Sequence, residues 1–427
     1  MKTDHILGAV AGLLSLISCS SLDIVKVKDP IRISSPTPTE QITKVSLDDT
    51  QATYVEAGNS MSFRFLGQLY DGENLICSPL SLQYALAMTA NGASGETLQE
   101  IIDFLGYGED GIDELNKYCK ALLEQLPAVD LDVTLKVTDA LIVNDQFPLL
   151  PSFKTAVENN YYAAVDNMDF SDPNQIAARI NEWSRANTNG FIDKVLEPSE
   201  ISKESLVYLM NALYFKAEWS HTGMFKEEDT KSESFKRHNG RTTKVKMMNN
   251  SGSHSYAIMD GYKVLALPYS NGKFNMYVLL PDENDIEGMI KTLQNTAWSD
   301  ILGNLKSDAK VHVKLPKFEI ENKYDLKNCL INLGVEKAFS SKSADFSGMF
   351  KANNLLAEIN KVIQKSRISV TEWGTEAGSV TEVGMLCGSA GSGPKNEVYF
   401  HADHPFVFVI GEKNSKTILF TGVVMKP

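Results

Sequence analysis

The residues best placed to do chemistry lie in Glu372-Trp-Gly-Thr-Glu-Ala-Gly-Ser-Val380 and the tract that follows it to Asn396. What they allow is a change of conformation: a hinge feeding a loop that could become a strand. Gly374, Ala377, Gly378 and Ser379 carry little bulk to obstruct entry into a sheet, and glycine reaches backbone angles that other residues avoid. Conventional catalytic groupings do not accompany this stretch. There is no Gly-x-Ser-x-Gly elbow, no His-Glu-x-x-His pair and no EF-hand loop. Gly388-Ser-Ala-Gly-Ser-Gly-Pro-Lys395 has the glycine content of a phosphate cradle, but Pro394 holds the place of the required lysine and no helix signal follows, so it reads as a loop. His401-Ala-Asp-His404 could supply metal ligands; with no further His or Cys cluster to join it, a structural turn is the reading, and no metal or cofactor is expected.

The elements that must position this loop are legible in the hydrophobic spacing. Lys361–Thr371, with its β-branched enrichment and partial alternation, predicts a strand running straight into the small residues. Helical spacing begins near Tyr54, and a second helix over Ser81–Ala90 follows the Ser78-Pro79 start signal and stops at Asn91-Gly-Ala-Ser-Gly95. Further helices are predicted over Ile112–Leu126 and Gln175–Thr188, the latter with Ile176, Ile180 and Trp183 on one side, so the first half reads as mostly α. Strands are predicted at Leu206–Phe215, Tyr262–Pro268, Phe274–Leu280 and Val311–Leu315, with a hairpin turn at Ser270-Asn-Gly-Lys273. A second hairpin joins Pro405–Ile410 to Thr417–Val424. Strands dispersed among helices imply an α+β class rather than a doubly wound parallel sheet.

Composition fits a folded globular body: 43% of the 427 residues are hydrophobic and 22% charged, with no internal linker dividing the chain. A formal net charge of −13 argues against nucleic acid as a partner, because such binding is driven by cationic side chains displacing counterions. The apolar run Ile6–Ile17 after Lys2 reads as a targeting segment too short to span a bilayer. Leu16-Ile-Ser-Cys19 closes it in the manner of a bacterial lipoprotein signal, so residues 1–18 are read as a signal peptide and Cys19 as the lipidated residue; an ordinary secretory signal is the alternative. Residues 19–47, with Ser34-Ser-Pro-Thr-Pro-Thr39, read as a polar tether, placing the folded domain over 48–427 at the outer membrane or cell surface. Of the remaining cysteines, Cys77 and Cys329 read as buried free thiols, Cys119 belongs to no tight framework, and Cys387 falls in the loop.

Six segments then carry a resemblance. Glu-x-Gly-Thr-Glu-Ala-Gly at 372–378 with Phe400-His-Ala-Asp-His-Pro-Phe406, Asn74-Leu-Ile-Cys-Ser-Pro-Leu-Ser81, Asn211-Ala-Leu-Tyr-Phe-Lys-Ala-Glu-Trp219, Leu315-Pro-Lys-Phe318, Ala344-Asp-Phe-Ser-Gly348 and Leu419-Phe-Thr-Gly-Val423 resemble the serpins, in serpin order, from about residue 50 to the end. The resemblance implies a single α+β domain with a helix-rich N-terminal half, mixed sheets and an exposed reactive loop at about 372–397. It implies an irreversible suicide-substrate inhibitor of serine endopeptidases, with cysteine endopeptidases as a further target class, and not an enzyme; a noninhibitory surface binding protein on the same fold is the alternative.

Carried over residue by residue, the resemblance makes Glu372, Gly374, Thr375, Ala377, Gly378 and Ser379 a hinge. The family's usual spacing from Glu372 reaches a scissile bond at Gly388–Ser389, with Met385, Leu386 and Cys387 as alternates. Glycine gives a specificity pocket nothing to grip, so Met385 and Leu386 would carry recognition, each worth on the order of 1.5–3 kcal/mol if fully buried. An elastase- or chymotrypsin-like partner is therefore expected, acting on a monomer. After cleavage Thr375, Ala377, Ser379, Thr381 and Val383 would face inward on the inserted strand, and Thr375 to Gly388 would span about 46 Å. The sheet-opening region comprises Ser78, Pro79, Ser81, Asn211, Trp219, Gln364 and Lys317, the last paired with Glu372 as an exposed contact worth about 0–1 kcal/mol. Trp373 departs from the family by its bulk, and Gln364 by standing where a buried histidine is usual, so pH-sensitive opening is less expected.

Overall fold

The structure, a computed structural model, describes residues 36–107, 110–351, 357–375 and 396–427. All of them fall within one compact unit, Ile31–Pro427. The helices among them are α1 (Asp49–Leu69), α2 (Pro79–Ala90), α3 (Gly95–Leu105), α4 (Ile112–Gln125), α5 (Pro151–Tyr161), α6 (Pro173–Asn187), α7 (Ile286–Leu293), α8 (Trp298–Gly303) and α9 (Lys327–Asn332). Helix α1 starts before the expected Tyr54 because Asp48 and Gln51 close a capping box on its first turn. Ser78 caps α2 with Pro79 at its first position, and Asp172 caps α6 with Pro173 in the same role.

Three sheets are present among the described residues. The central one runs β11 (Phe318–Asp325), β12 (Ile363–Thr371), β13 (Gly374–Thr375), β4 (Val207–Glu218), β2 (Thr134–Asn144), β3 (Ala164–Met168). A second runs β1 (Leu75–Cys77), β16 (Ile418–Val424), β15 (Phe406–Glu412), β9 (Phe274–Pro281), β8 (Tyr262–Pro268), β7 (Ser255–Met259). The third is β14 (Asn396–His401), β10 (Ala309–Pro316), β6 (Thr242–Gly252), β5 (Lys231–Lys236). Both expected hairpins form, β8 with β9 and β15 with β16, each antiparallel. The first half is less purely helical than its spacing suggests, since β2 and β3 lie there and supply one side of the central sheet.

The main core fills the space between the central sheet and the β15–β9 sheet, where Phe215 meets Phe274 with ring centroids 5.7 Å apart and Phe318 meets Phe406 at 5.9 Å. Helix α6 covers the opposite face of the central sheet, burying Ile176, Ile180 and Trp183 against Tyr208, Met210 and Ala212 of β4. Each such side chain contributes about 1.5–3 kcal/mol on burial, so α6 is held firmly across the strands it crosses. The expected tether is not free at its distal end: Ile42 donates its backbone N–H to Ala128, Val45 is buried, and Ser46 is bonded to the Gln125 side chain.

Candidate functional site

Strands β4 and β12 are both antiparallel to the short β13, and so run parallel to one another with β13 between their upper ends. Gly374 sits opposite Thr371 and Glu218, and Thr375 opposite Val370 and Ala217. Below Thr375, no backbone ladder among the described residues joins β4 to β12; β4 pairs outward with β2, and β12 outward with β11. A cavity lined by Leu213, Phe215, Ile368 and Thr375 continues downward, and Asn211 and Ile363 line cavities on both faces of the sheet lower down. Two inner strand edges facing a partly hollow seam are a template for one more strand, because unpaired N–H and C=O groups bind whatever extended backbone reaches them.

The top of the seam already holds the first residues of such a strand. From the sequence, insertion is expected to begin at Thr375 after cleavage; in the structure that step is taken in the uncut chain, with Thr375 buried and its hydroxyl bonded to that of Tyr269. Gly374 is required here: its φ is +150°, and a Cβ would lie 2.1 Å from the Ala217 carbonyl oxygen. Trp373 turns away from the sheet, 38% exposed, its indole N–H donating to Glu227 at 3.3 Å. Its bulk therefore does not enter the slot. Trp219 seals the position beneath, stacked on Tyr269 with centroids 4.6 Å apart, its indole N–H donating to the Thr371 carbonyl and its backbone N–H to that of Trp373.

Glu372 and Lys317 meet at 2.7 Å, but not as an exposed contact: the Glu372 residue is 3% exposed and also accepts from the Thr230 hydroxyl at 2.8 Å. Burial alone would raise this carboxyl. The Lys317 ammonium, the residue's own backbone amide and Thr230 outweigh it and hold the carboxyl below its ordinary value. The pair is thus anchored on one side in protein and on the other, through the lysine, in solvent.

Lower down, helix α2 grips both sides of the seam. On the β12 side, the Gln364 amide accepts from the Ser78 N–H at 3.0 Å and donates to the Ser78 carbonyl at 2.8 Å. Ser78 in turn donates its hydroxyl to the Leu419 carbonyl. On the β4 side, the Ser81 hydroxyl donates to Asn211 Oδ1, and Asn211 Nδ2 donates to Asp139 Oδ1 of β2 at 2.6 Å. Asp139 is 1% exposed, and its Oδ2 has no hydrogen-bond partner. Burial pushes this carboxyl up to about 7, opposed only by the bond from Asn211.

The structure therefore brings together Glu372, Gly374, Thr375, Lys317 and Trp219 at the top of the seam, and Ser78, Pro79, Ser81, Asn211 and Gln364 below. Ala377, Gly378, Ser379, Met385, Leu386, Cys387, Gly388, Ser389 and the lipidation candidate Cys19 lie outside the described residues. Tyr269, Thr230 and Asp139 are members that sequence reasoning missed; only Asp139, a lone acid within the apolar run Val137–Val143, left a visible signal. His401 ends β14, while His404 bonds Asp403 through Nδ1 and the Pro281 carbonyl through Nε2, consistent with a turn. Cys77, Cys119 and Cys329 are buried free thiols.

Residues 56–427 match the family described as Serpin (serine protease inhibitor). An uncharacterized serpin-like protein of Thermococcus kodakarensis is 35% identical over 87% of this chain and 85% of its own length. The leukocyte elastase inhibitor of Bos taurus is 33% identical over 83% of this chain and 93% of its own. The native-state crystal structure of tengpin, a thermophilic serpin, superposes with a TM-score of 0.80 at 30% identity, covering 91% of this chain and 97% of that one.

Proposed function

Since the chain belongs to the serpin family, we propose that it is an irreversible suicide-substrate inhibitor of serine endopeptidases, with cysteine endopeptidases as a further target class. The observation that carries this reading is the seam: the inner edges of β4 and β12 lie open beneath a hinge whose Gly374 and Thr375 already occupy the first two positions of an added strand. An endopeptidase that attacks the loop forms an acyl-enzyme with its new carbonyl end. The hinge, already registered between two strands, then needs only to zip downward to carry that end away.

Small residues at Ala377 and Ser379 suit this passage, and the absence of Arg and Lys between Glu372 and Pro394 favours a protease with an apolar or small-residue pocket. The reactive bond is placed at Gly388–Ser389, with Met385, Leu386 and Cys387 as neighbouring candidates. The protein acts once per molecule and catalyses no turnover. Leu16-Ile-Ser-Cys19 supports a lipid anchor on Cys19 and a site of action at the outer membrane or cell surface.

Incubation with elastase-, chymotrypsin-, trypsin-, subtilisin- and papain-like proteases, followed by intact mass analysis, tests the proposal. A covalent adduct with one equivalent of protease is the expected product. Clean cleavage of the loop by every protease, with full protease activity left behind, would point instead to a noninhibitory binding protein on this fold.

A further inference from the structure

We propose that Asp139 is a proton-linked positioning residue of the clamp that α2 makes on the sheet: it carries a proton while Ser81 and Asn211 hold β4 to α2, and its ionisation favours release of β4. This rests on the reading of the seam as the route of loop entry. It runs against the expectation, drawn from Gln364, of less pH-sensitive opening.

The geometry sets the argument. Helix α2 holds β12 through Ser78 and Gln364, and holds β4 through Ser81 and Asn211. Both Gln364 and Asn211 are neutral amides. The orientation of Asn211 is fixed from behind by Asp139, which takes its Nδ2 and leaves its Oδ1 for Ser81. Without that bond nothing on the β2 side fixes which end of the Asn211 amide faces the Ser81 hydroxyl.

Asp139 is buried, and no cation among the described residues stands against it. Its charge acts on Tyr84 of α2, Cys119 of α4 and Tyr161 of α5, all fully buried and all pushed upward by that burial, so they stay neutral across the physiological range. The Tyr84 hydroxyl, like Asp139 Oδ2, lacks a hydrogen-bond partner. A carboxylate in such a place has neither countercharge nor hydration, and the neutral acid is the form the closed sheet tolerates. Release of β4 from α2 parts Asn211 from Ser81 and lets water reach the carboxyl, which then ionises. The open state binds fewer protons than the closed one. Opening is therefore promoted as pH rises, until the closed-state carboxyl has itself lost its proton.

Hydrogen exchange at the β2–β4 ladder amides of the uncut full chain, where Asp139 lies opposite Asn211, corrected for intrinsic exchange, measures this without any protease. In wild type, protection should fall by up to about tenfold per pH unit from roughly pH 5 to pH 7, then level off. In D139N, which keeps the shape and cannot titrate, the profile should be flat. An unchanged slope in D139N would overturn the proposal. Should D139N fail to fold, infrared titration of wild type carrying 13C-labelled aspartate answers the same question: a protonated carboxyl persisting toward neutrality supports the proposal, and complete ionisation by about pH 5.5 refutes it. If the exchange pattern holds while no protease is trapped, the clamp stands and the inhibitory reading falls; protease trapping with a pH-independent clamp gives the converse.

Discussion

Replacing Thr375 by Arg sets two costs against each other at one position. Keeping β13 in place would bury a guanidinium in a site whose lining includes Leu213, Phe215, Ile368, Ile410 and Phe420 and whose only charged member is Arg367. An unpaired charge there costs several kcal/mol. Withdrawing β13 forfeits the Tyr269 hydrogen bond, about 1 kcal/mol, and the short ladder on either side. Withdrawal is the cheaper outcome, so the variant should fold with its hinge expelled and a modest loss of stability. After cleavage the same arginine must enter the seam before any residue beyond it can. A barrier raised by about 3 kcal/mol slows that step roughly a hundredfold, giving hydrolysis of the acyl-enzyme time to win. The assay is a titration of a chymotrypsin-like protease, with gel and mass detection, beside thermal unfolding of intact and loop-cleaved protein. Wild type should trap protease and gain stability on cleavage; the variant should be cut at the same bond, release active protease and gain little. Undiminished trapping by T375R, or an equal gain in stability on cleavage, would show that entry at Thr375 does not govern the outcome.

Three further outcomes are expected. Glu372 has a lowered carboxyl value, so its stabilising contribution is present above the unfolded-chain value near 4.5 and is lost as pH falls through the lower folded value; the difference in urea midpoint between wild type and E372Q should shrink below about pH 4, and a constant difference would reject the Lys317 pairing as its source. Elastase- or chymotrypsin-like enzymes should react faster than trypsin-like ones, because no basic residue lies between Glu372 and Pro394; rapid stoichiometric trapping of trypsin within the loop would overturn this. Expressed in a lipoprotein-processing bacterium, wild type should enter the detergent phase and C19A should not, and equal partitioning of the two would remove the anchor.

Much of the framework was readable because its signals are local. The β8–β9 turn needs left-handed backbone, and Gly272 adopts φ +83° there, with Ser270 at +39°; Ser78-Pro79 and Asp172-Pro173 start helices by chemistry contained within a few residues. Strands β5 and β6 gave no such signal, since most of β5 is exposed and its apolar content is a single buried Phe235. The partial entry of the hinge could not be read at all. It depends on β4 and β12 standing apart, which is decided by helices and sheets distant in sequence. Asp139 shows the same limit: its residue type was visible in β2, but its burial is made by α2, α4 and α5 converging on it.

The outward turn of Trp373 also makes the molecule its own optical probe. The chain contains four tryptophans, and Trp183, Trp219 and Trp298 are all buried, leaving one indole in contact with solvent. That indole is covalently next to Gly374, so it must shift whenever the hinge does. Its emission can be separated from the rest by a soluble quencher, which reaches it and not the others. Hinge motion can therefore be followed in real time on unlabelled protein, with W373F as the blank.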